Sequence, residues 1–290
     1  MRLAREHYEN FPVASWLMPP AARPHVAAIY AFARIADDFA DEGQRPPVER
    51  LALLDGWQQR LDAAARGEVA QTGSPQHDAV FVALAETLRL FGAAEATPYV
   101  TSAHALLSDL LSAFRQDVVT TRYETWDSVL DYCPRSANPV GRLMLLVTGN
   151  DAPARALRSD AVCTALQLTN FWQDLVRDWV NGRLYVPLDV VHAHGARLED
   201  LDQSRWTPEW RAALRDVGDR TRALFDAGRP VADGVRGRLR LELRATWLGG
   251  HRILDRLAEA DYDVFHARPS LAWPDAARIA AGALLWRRSA

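Results

Sequence analysis

Ala27-Ala-Ile-Tyr30-Ala-Phe-Ala-Arg34-Ile-Ala-Asp37-Asp38-Phe-Ala-Asp41-Glu42 is apolar almost throughout, and four of its polar members fall on one line. Tyr30, Arg34, Asp37 and Asp41 are separated by 4, 3 and 4 residues, the spacing that puts side chains on a single stripe of an α-helix. Ile29, Phe32, Ala33, Ala36 and Ala40 crowd the remaining faces, so the stripe is expected to face something other than bulk water. Asp38 and Glu42 lie off the stripe and are expected to face solvent or to support it from outside. An arginine and two carboxylates inside a helical bundle are costly unless a partner, a metal or a wet cavity compensates them.

A second segment repeats the pattern. In Leu166-Gln167-Leu-Thr-Asn170-Phe-Trp-Gln-Asp174-Leu-Val-Arg-Asp178-Trp, the residues Gln167, Asn170, Asp174 and Asp178 are spaced 3, 4 and 4 and share one face, while leucine, phenylalanine, valine and tryptophan supply much of the rest. A single pair of aspartates one turn apart is commonplace on exposed helices; two such stripes, each embedded in apolar helix, call for a common cause. Four clustered carboxylates cannot all stay ionised in a cavity without cations. Mg²⁺ fits, because it prefers oxygen ligands and is usually held by a few carboxylates together with substrate phosphates. The expected ligand is therefore a diphosphate ester, with the metal bridging like charges and stabilising diphosphate as it leaves. Walls of Leu, Phe, Trp and Ala suit a long hydrocarbon.

Outward from these stripes the chain reads as helix after helix, an all-α protein with apolar residues at three- and four-residue spacing. Helices are expected from about His25 to the acidic run before Gly43, from Pro47 to Arg66, over Asp78–Phe91 and Pro98–Val118, from Trp126 to Gly149 with a kink at Ser136-Ala-Asn-Pro139, and over Asp160–Asn181. A long polar loop is expected from Arg183 to about Arg205, then helices over Pro208–Asp226, Val231–Ala260 and Pro274–Arg288. No shift of composition marks a boundary, so residues 1–290 are read as one helical domain around a central cavity, with the two acidic ridges facing each other across it.

Composition narrows the function classes. With 49% hydrophobic and 24% charged residues, 16 Gly and 16 Pro, the chain is globular in type, and its net charge of −3 gives no basic footprint for nucleic acid. All 34 basic residues are arginine. Two cysteines, Cys133 and Cys163, form no disulfide framework and no C-x-x-C pair, which fits a reducing, cytoplasmic setting. Met1 to Asn10 lack the apolar core of a secretory signal, and uncharged runs reach only 13 residues, short of a bilayer span. The last helix, with Ile279-Ala-Ala-Gly-Ala-Leu-Leu-Trp286 before Arg287-Arg288, reads first as a packing helix and second as an interfacial one, and a lipid substrate leads us to expect peripheral contact with the inner face of a membrane, through an apolar rim or this helix. His25, His77, His104, His192 and His194 match no metal spacing.

These residues resemble the squalene and phytoene synthase family, all-α isoprenoid synthases. The resemblance rests on Tyr30-x-x-x-Arg34-x-x-Asp37-x-x-x-Asp41 and Gln167-x-x-Asn170-x-x-x-Asp174-x-x-x-Asp178. It extends to Arg122-Tyr123-x-Thr125 leading into Tyr132-Cys133, to Gly182-Arg183-x-Tyr185-x-Pro187, and to Ala260-Asp-Tyr-Asp-Val-Phe265. His7-Tyr-Glu-Asn-Phe-Pro-Val-Ala-Ser15, Tyr132-Cys-Pro-Arg-Ser-Ala-Asn-Pro-Val-Gly141 and Asn170-Phe-Trp-Gln-Asp174 are similar to the hydroxysqualene-forming members of the bacterial hopanoid branch.

The resemblance implies Mg²⁺-assisted loss of diphosphate from presqualene diphosphate, cation rearrangement and capture by water, with no reductant. It implies metal ligation by Asp37, Asp41, Asn170, Asp174 and Asp178, and diphosphate contacts from His7, Arg34 and Arg183. Tyr30, Tyr132 and Gln167 would line the cation path and Tyr185 would contact substrate. Other enzymes of the hopanoid pathway are the implied partners. Where many relatives carry Arg this chain has Gln173, a lost cation that suits a substrate with one diphosphate, and Ser136 and Asn138 replace a plainer kink and could hold the attacking water. Trp247 stands where relatives often have Tyr, leaving two roles open: a π face for a cation, or plain core. Two alternatives remain: head-to-head condensation of farnesyl diphosphate, and a non-catalytic helical scaffold. Asp37→Asn or Asp174→Asn is expected to abolish turnover while relieved repulsion leaves the metal-free fold intact or more stable.

Overall fold

The structure is a computed structural model that describes residues 17–41, 45–92 and 101–286. The all-α class expected from the sequence is what the chain adopts. The helices are α1 (Arg23–Asp41), α2 (Pro47–Ala65), α3 (Pro75–Phe91), α4 (Ala103–Val119), α5 (Trp126–Ser136), α6 (Asn138–Val147) and α7 (Pro153–Gln173). They are followed by α8 (Leu175–Val180), α9 (Leu188–Ala193), α10 (Leu198–Asp202), α11 (Pro208–Gly228), a 3-10 turn at Arg229–Ala232, α12 (Gly237–Glu259) and α13 (Trp273–Leu284). Among the described residues the sole extended pairing is an isolated parallel bridge between Arg122 and Leu184.

The chain divides into two compact units. The first comprises the described residues of Met1–Val119 with Arg135–Ala156, the second those of Thr120–Pro134 with Leu157–Ala290. In the first unit α1 packs against α2, α3, α4 and α6. Its core is aromatic and leucine-rich: Trp57 stacks on Phe32 at 5.7 Å and meets Phe81 edge-on at 4.6 Å, and its indole N–H donates to the Phe32 carbonyl at 3.3 Å. Leu54, Leu61, Leu84, Leu107 and Leu111 are fully buried around them. This packing puts Phe32, Ile35, Ala36 and Ala40 of α1 inward, which sets where the opposite stripe emerges.

In the second unit α11 packs on α9 and α12, and α12 on α13. Trp172, Trp210 and Phe225 are fully buried. The Trp172 indole donates to the Thr221 hydroxyl at 2.8 Å and that of Trp210 to the Arg197 carbonyl at 3.0 Å, so each buried donor is satisfied. Helix α11 begins in the manner its sequence dictates: Thr207 caps it by accepting from the Trp210 amide, and Pro208 takes the first position, where its missing N–H costs nothing.

Several helix limits differ from the sequence expectation. The kink before Pro139 is present as a break at Ala137 between α5 and α6. The loop expected over Arg183–Arg205 instead contains α9 and α10, short helices that bury Val190, Val191 and Leu201. Helix α12 starts at Gly237, not Val231, because Pro230, Gly234 (φ +76°) and Gly237 (φ +66°) hold the chain out of helical geometry. The helix expected over Asp160–Asn181 begins earlier, at Pro153, and is interrupted at Asp174, which sits at φ −100°, ψ 10°. The interruption is one residue wide, since the Asp174 amide still donates to the Asn170 carbonyl at 2.9 Å and the Asp178 amide to that of Asp174 at 2.8 Å. Pro98, Gly43, Arg287 and Arg288 lie outside the described residues. No described helix is long and apolar enough to cross a membrane.

Candidate active site

In the first unit, Tyr30, Arg34 and Asp37 are half-buried along α1 and Asp41 is exposed at its end, so the expected shelter holds for three of the four. The Arg34 guanidinium reaches Asp37 at 3.2 Å and Asp38 at 2.7 Å. Asp38, off the stripe, thus helps to hold Arg34 beside Asp37. Ser136 closes α5 half-buried, and Asn138 opens α6 in a buried position. Because α6 packs on α1 and α4 within this unit, the kink residues and the first acidic stripe belong to one packed group of helices.

The second unit carries Tyr132, Gln167, Asn170, Asp174, Asp178, Arg183 and Tyr185. Gln167, Asn170, Asp174 and Asp178 are all half-buried, while Leu168, Phe171, Trp172 and Leu175 are buried on the other faces. Arg183 and Tyr185 are held by main chain. The Leu184 amide donates to the Thr121 carbonyl at 2.8 Å, that of Leu188 to Tyr123 at 3.0 Å and that of Asp189 to Glu124 at 3.0 Å. Arg122 also lies 4.9 Å over the Trp179 ring, tying the same segment to the end of the second stripe.

Four rings gather beside this splint. Phe171 stacks face to face on Tyr185 at 3.6 Å, Tyr185 on Tyr123 at 5.9 Å, and Tyr132 lies 5.9 Å from Tyr123 and 6.2 Å from Phe171. Tyr132 and Tyr185, proposed separately from the sequence, therefore belong to one aromatic nest, to which Phe171 and Tyr123 are additions. A nest of π faces is an environment in which a developing carbocation is stabilised without a competing nucleophile.

Sequence reasoning missed one contact with the second stripe. Arg268, from the connection between α12 and α13, donates to both carboxylate oxygens of Asp174, the second at 3.1 Å. Next to it the Gln173 side-chain amide donates to the Pro269 carbonyl. A cation thus stands beside Asp174 from a site 94 residues away, and Gln173 is buried in fastening that segment. No spacing rule links residues so far apart; only the block ending at Phe265 hinted that this stretch mattered.

Trp247 resolves to core. It is buried, donates to the Phe225 carbonyl at 2.7 Å and stacks on His251 at 4.8 Å. Of the histidines left without a metal role, three have hydrogen-bond partners, His25 with Thr87, His104 with Asp62 and His194 with Asp216, and His77 packs edge-on against Phe39 and Trp57. His7 and Glu42 lie outside the described residues.

The donor set suits Mg²⁺. Asp37, Asp41, Asn170, Asp174 and Asp178 are all oxygen donors, and each stripe offers two carboxylates four residues apart. Among the described residues no group of three or more His, Cys, Asp or Glu forms a metal cluster by itself. Two carboxylates plus substrate phosphate is how Mg²⁺ is commonly held, since it keeps several waters and dehydrates reluctantly.

Against known proteins, residues 4–275 match the family model for squalene/phytoene synthase. The chain belongs to that family. It is 36% identical over 260 residues to the hydroxysqualene synthase of Sinorhizobium fredii, covering 89% of this chain and 82% of the relative. It is 39% identical over 257 residues to that of Rhodopseudomonas palustris, covering 87% and 80%. Among solved structures it is similar to the squalene synthase HpnC of Alicyclobacillus acidocaldarius, with a TM-score of 0.79 and 38% identity over 90% of this chain and 92% of that one. As a member of this family the chain is an enzyme of isoprenoid biosynthesis.

Proposed function

We propose that this chain converts presqualene diphosphate and water into hydroxysqualene and diphosphate, a step of squalene and hopanoid biosynthesis. The observation that carries the reading is the identity of 36–39% to two hydroxysqualene synthases over nearly the whole chain. It is supported by the half-buried acidic stripes and the aromatic nest. The family match runs through residues of both units, which supports reading residues 1–290 as one domain.

In this reading Asp37 and Asp41 on α1, with Asn170 on α7, Asp174 at the break and Asp178 on α8, would hold Mg²⁺, which when bound neutralises the diphosphate and stabilises it as leaving group. Arg34, Arg183 and His7 bind its remaining oxygens. The ester C–O bond breaks and diphosphate departs with the electron pair. Tyr30, Tyr132, Gln167 and Tyr185 line the path of the resulting cyclopropylcarbinyl cation, excluding bulk water while it rearranges. Ser136 and Asn138 hold the water whose oxygen forms the new C–O bond, and that water passes one proton to the released diphosphate. Electrons balance without a reductant. The enzyme works in the cytoplasm, with other hopanoid-pathway enzymes as neighbours.

A second reading, formation of squalene, is favoured by the name of the Alicyclobacillus acidocaldarius structure. The test supplies purified protein and Mg²⁺ with presqualene diphosphate or farnesyl diphosphate, with and without reduced nicotinamide. Hydroxysqualene from the first substrate alone, independent of the reductant, is expected; turnover of farnesyl diphosphate alone overturns the assignment. Asp37→Asn and Asp174→Asn should each abolish turnover, and unchanged activity in both would favour a scaffold. Asn138→Ala and Ser136→Ala should lower the rate or shift the product ratio; the same rate and products would remove the water-holding role.

A further inference from the structure

Among the described residues helix α13 is anchored on one side only. Asp275 is fully buried and receives Arg252 and Arg256 from α12, each at 2.7 Å. Arg244 donates to the Ala283 carbonyl at 3.0 Å, and Trp286 meets Trp247 edge-on at 5.3 Å. The positions turned to α12 are therefore Asp275, Ile279, Gly282, Ala283 and the flanking Trp286. The opposite face carries Trp273, Ala277, Ala280 and Leu284, at helical spacing, and all are exposed.

This inverts the usual surface helix, whose solvent face is polar. Trp273 is 88% exposed, Leu284 70% and Leu285 79%, and Arg278 is the sole charged residue on the exposed side. The antiparallel packing places the start of α12 at the Leu284 end. There Arg236, Arg238 and Arg240 are all exposed, and Arg229 lies 4.5 Å over the Trp286 ring. Glu259, at the other end of α12, is ion-paired with Arg252 at 2.6 Å. In the sequence Arg287 and Arg288 follow directly.

We propose that the outer face of α13 rests on an anionic bilayer surface, with Trp273, Leu284 and Leu285 entering the headgroup boundary and the arginines of early α12 meeting acidic lipid. Apolar side chains opposite a basic flank, with a tryptophan at one end, are the chemistry of a helix lying in the interface plane. A lipid-derived substrate, as proposed above, gives that contact a purpose.

The test is flotation of the full chain with vesicles of phosphatidylcholine alone or mixed with phosphatidylglycerol. The protein should float with the mixed vesicles and much less with the neutral ones or at high salt. Trp273→Ser/Leu284→Ser/Leu285→Ser should lower the bound fraction at least tenfold, and Arg236→Gln/Arg238→Gln/Arg240→Gln should erase the preference for acidic lipid. Turnover of detergent-dispersed substrate should be unchanged in both, which separates this surface from the reading of the active site. If the triple serine variant melts early, Trp273→Ser alone carries the same expectation at smaller size. Equal flotation of variant and parent overturns the proposal. So does light scattering that shows a parent dimer and a monomeric serine variant, which would assign the face to a second copy of the chain.

Discussion

Asp174→Asn is expected to destabilise the metal-free protein, the reverse of what charge repulsion alone suggests. The Asp174 carboxylate is 18% exposed and is gripped by two N–H groups of Arg268, itself 42% exposed. A bidentate guanidinium contact of this kind is stronger than a single neutral hydrogen bond. Exposed ion pairs contribute about 0.2–1 kcal/mol and breaking fully buried ones costs about 3–5 kcal/mol. With one partner well wetted, the pair belongs near the upper end of the exposed range, about 1 kcal/mol. For a chain of this size that corresponds to a fall of roughly 2 °C in Tm. The assay is thermal and urea unfolding in EDTA of the parent, Asp174→Asn, Arg268→Gln and the double variant. The two single changes should fail to add, with a coupling of about 1 kcal/mol. An Asp174→Asn protein at least as stable as the parent, or additivity within about 0.3 kcal/mol, would refute the pairing as a source of stability.

Three further outcomes are expected. Gly250→Ala should cost about 1–3 kcal/mol in urea unfolding, because a Cβ there would press on Leu166 and stand 2.8 Å from Phe225. Burial pushes the Cys133 thiol up to about 12, so it should resist iodoacetamide in the native state and react once the chain is unfolded. Its folded value lies above its unfolded one, so the stability it contributes is present below pH 9 and is lost as pH rises from there toward 12; Cys133→Ala should flatten the alkaline slope of Tm relative to the parent. The Ala272 amide, with Arg252 and Arg256, holds the Asp275 carboxyl well below the usual range, so its stabilisation is present above the ordinary carboxylate value and lost as pH falls through the depressed one. Asp275→Asn should speed hydrogen exchange in α13 at neutral pH more than at strongly acidic pH, where the parent loosens as well.

What the sequence made legible was local. Tyr30, Arg34, Asp37 and Asp41 could be placed on one stripe because helical periodicity relates residues three and four apart, and Phe32 and Ala36 turned inward as their spacing required. The break before Asn138 was readable because Pro139 restricts the residue ahead of it. The partner of Asp174 was not, because Arg268 arrives from a connection with no periodic pattern of its own. For the same reason Gln173 read as a missing charge, when its amide is committed to the Pro269 carbonyl. Tyr132 and Tyr185 were identifiable as separate residues, but their union with Phe171 and Tyr123 depends on main-chain pairing between stretches about sixty residues apart. Helices α9 and α10 were hidden by their brevity, since five or six residues offer too few turns for an amphipathic signal.

The pairing of Thr121–Glu124 with Leu184–Asp189 is made of amides and carbonyls, which every residue type but proline supplies in full. Evolution can therefore exchange side chains along this rail without loosening the hold of the scaffold on Arg183 and Tyr185. It cannot lengthen the rail. A single residue added between Leu184 and Leu188 would shift one edge by a notch and swing Tyr185 away from Phe171, so drift in this lineage should leave substitutions here and very few insertions.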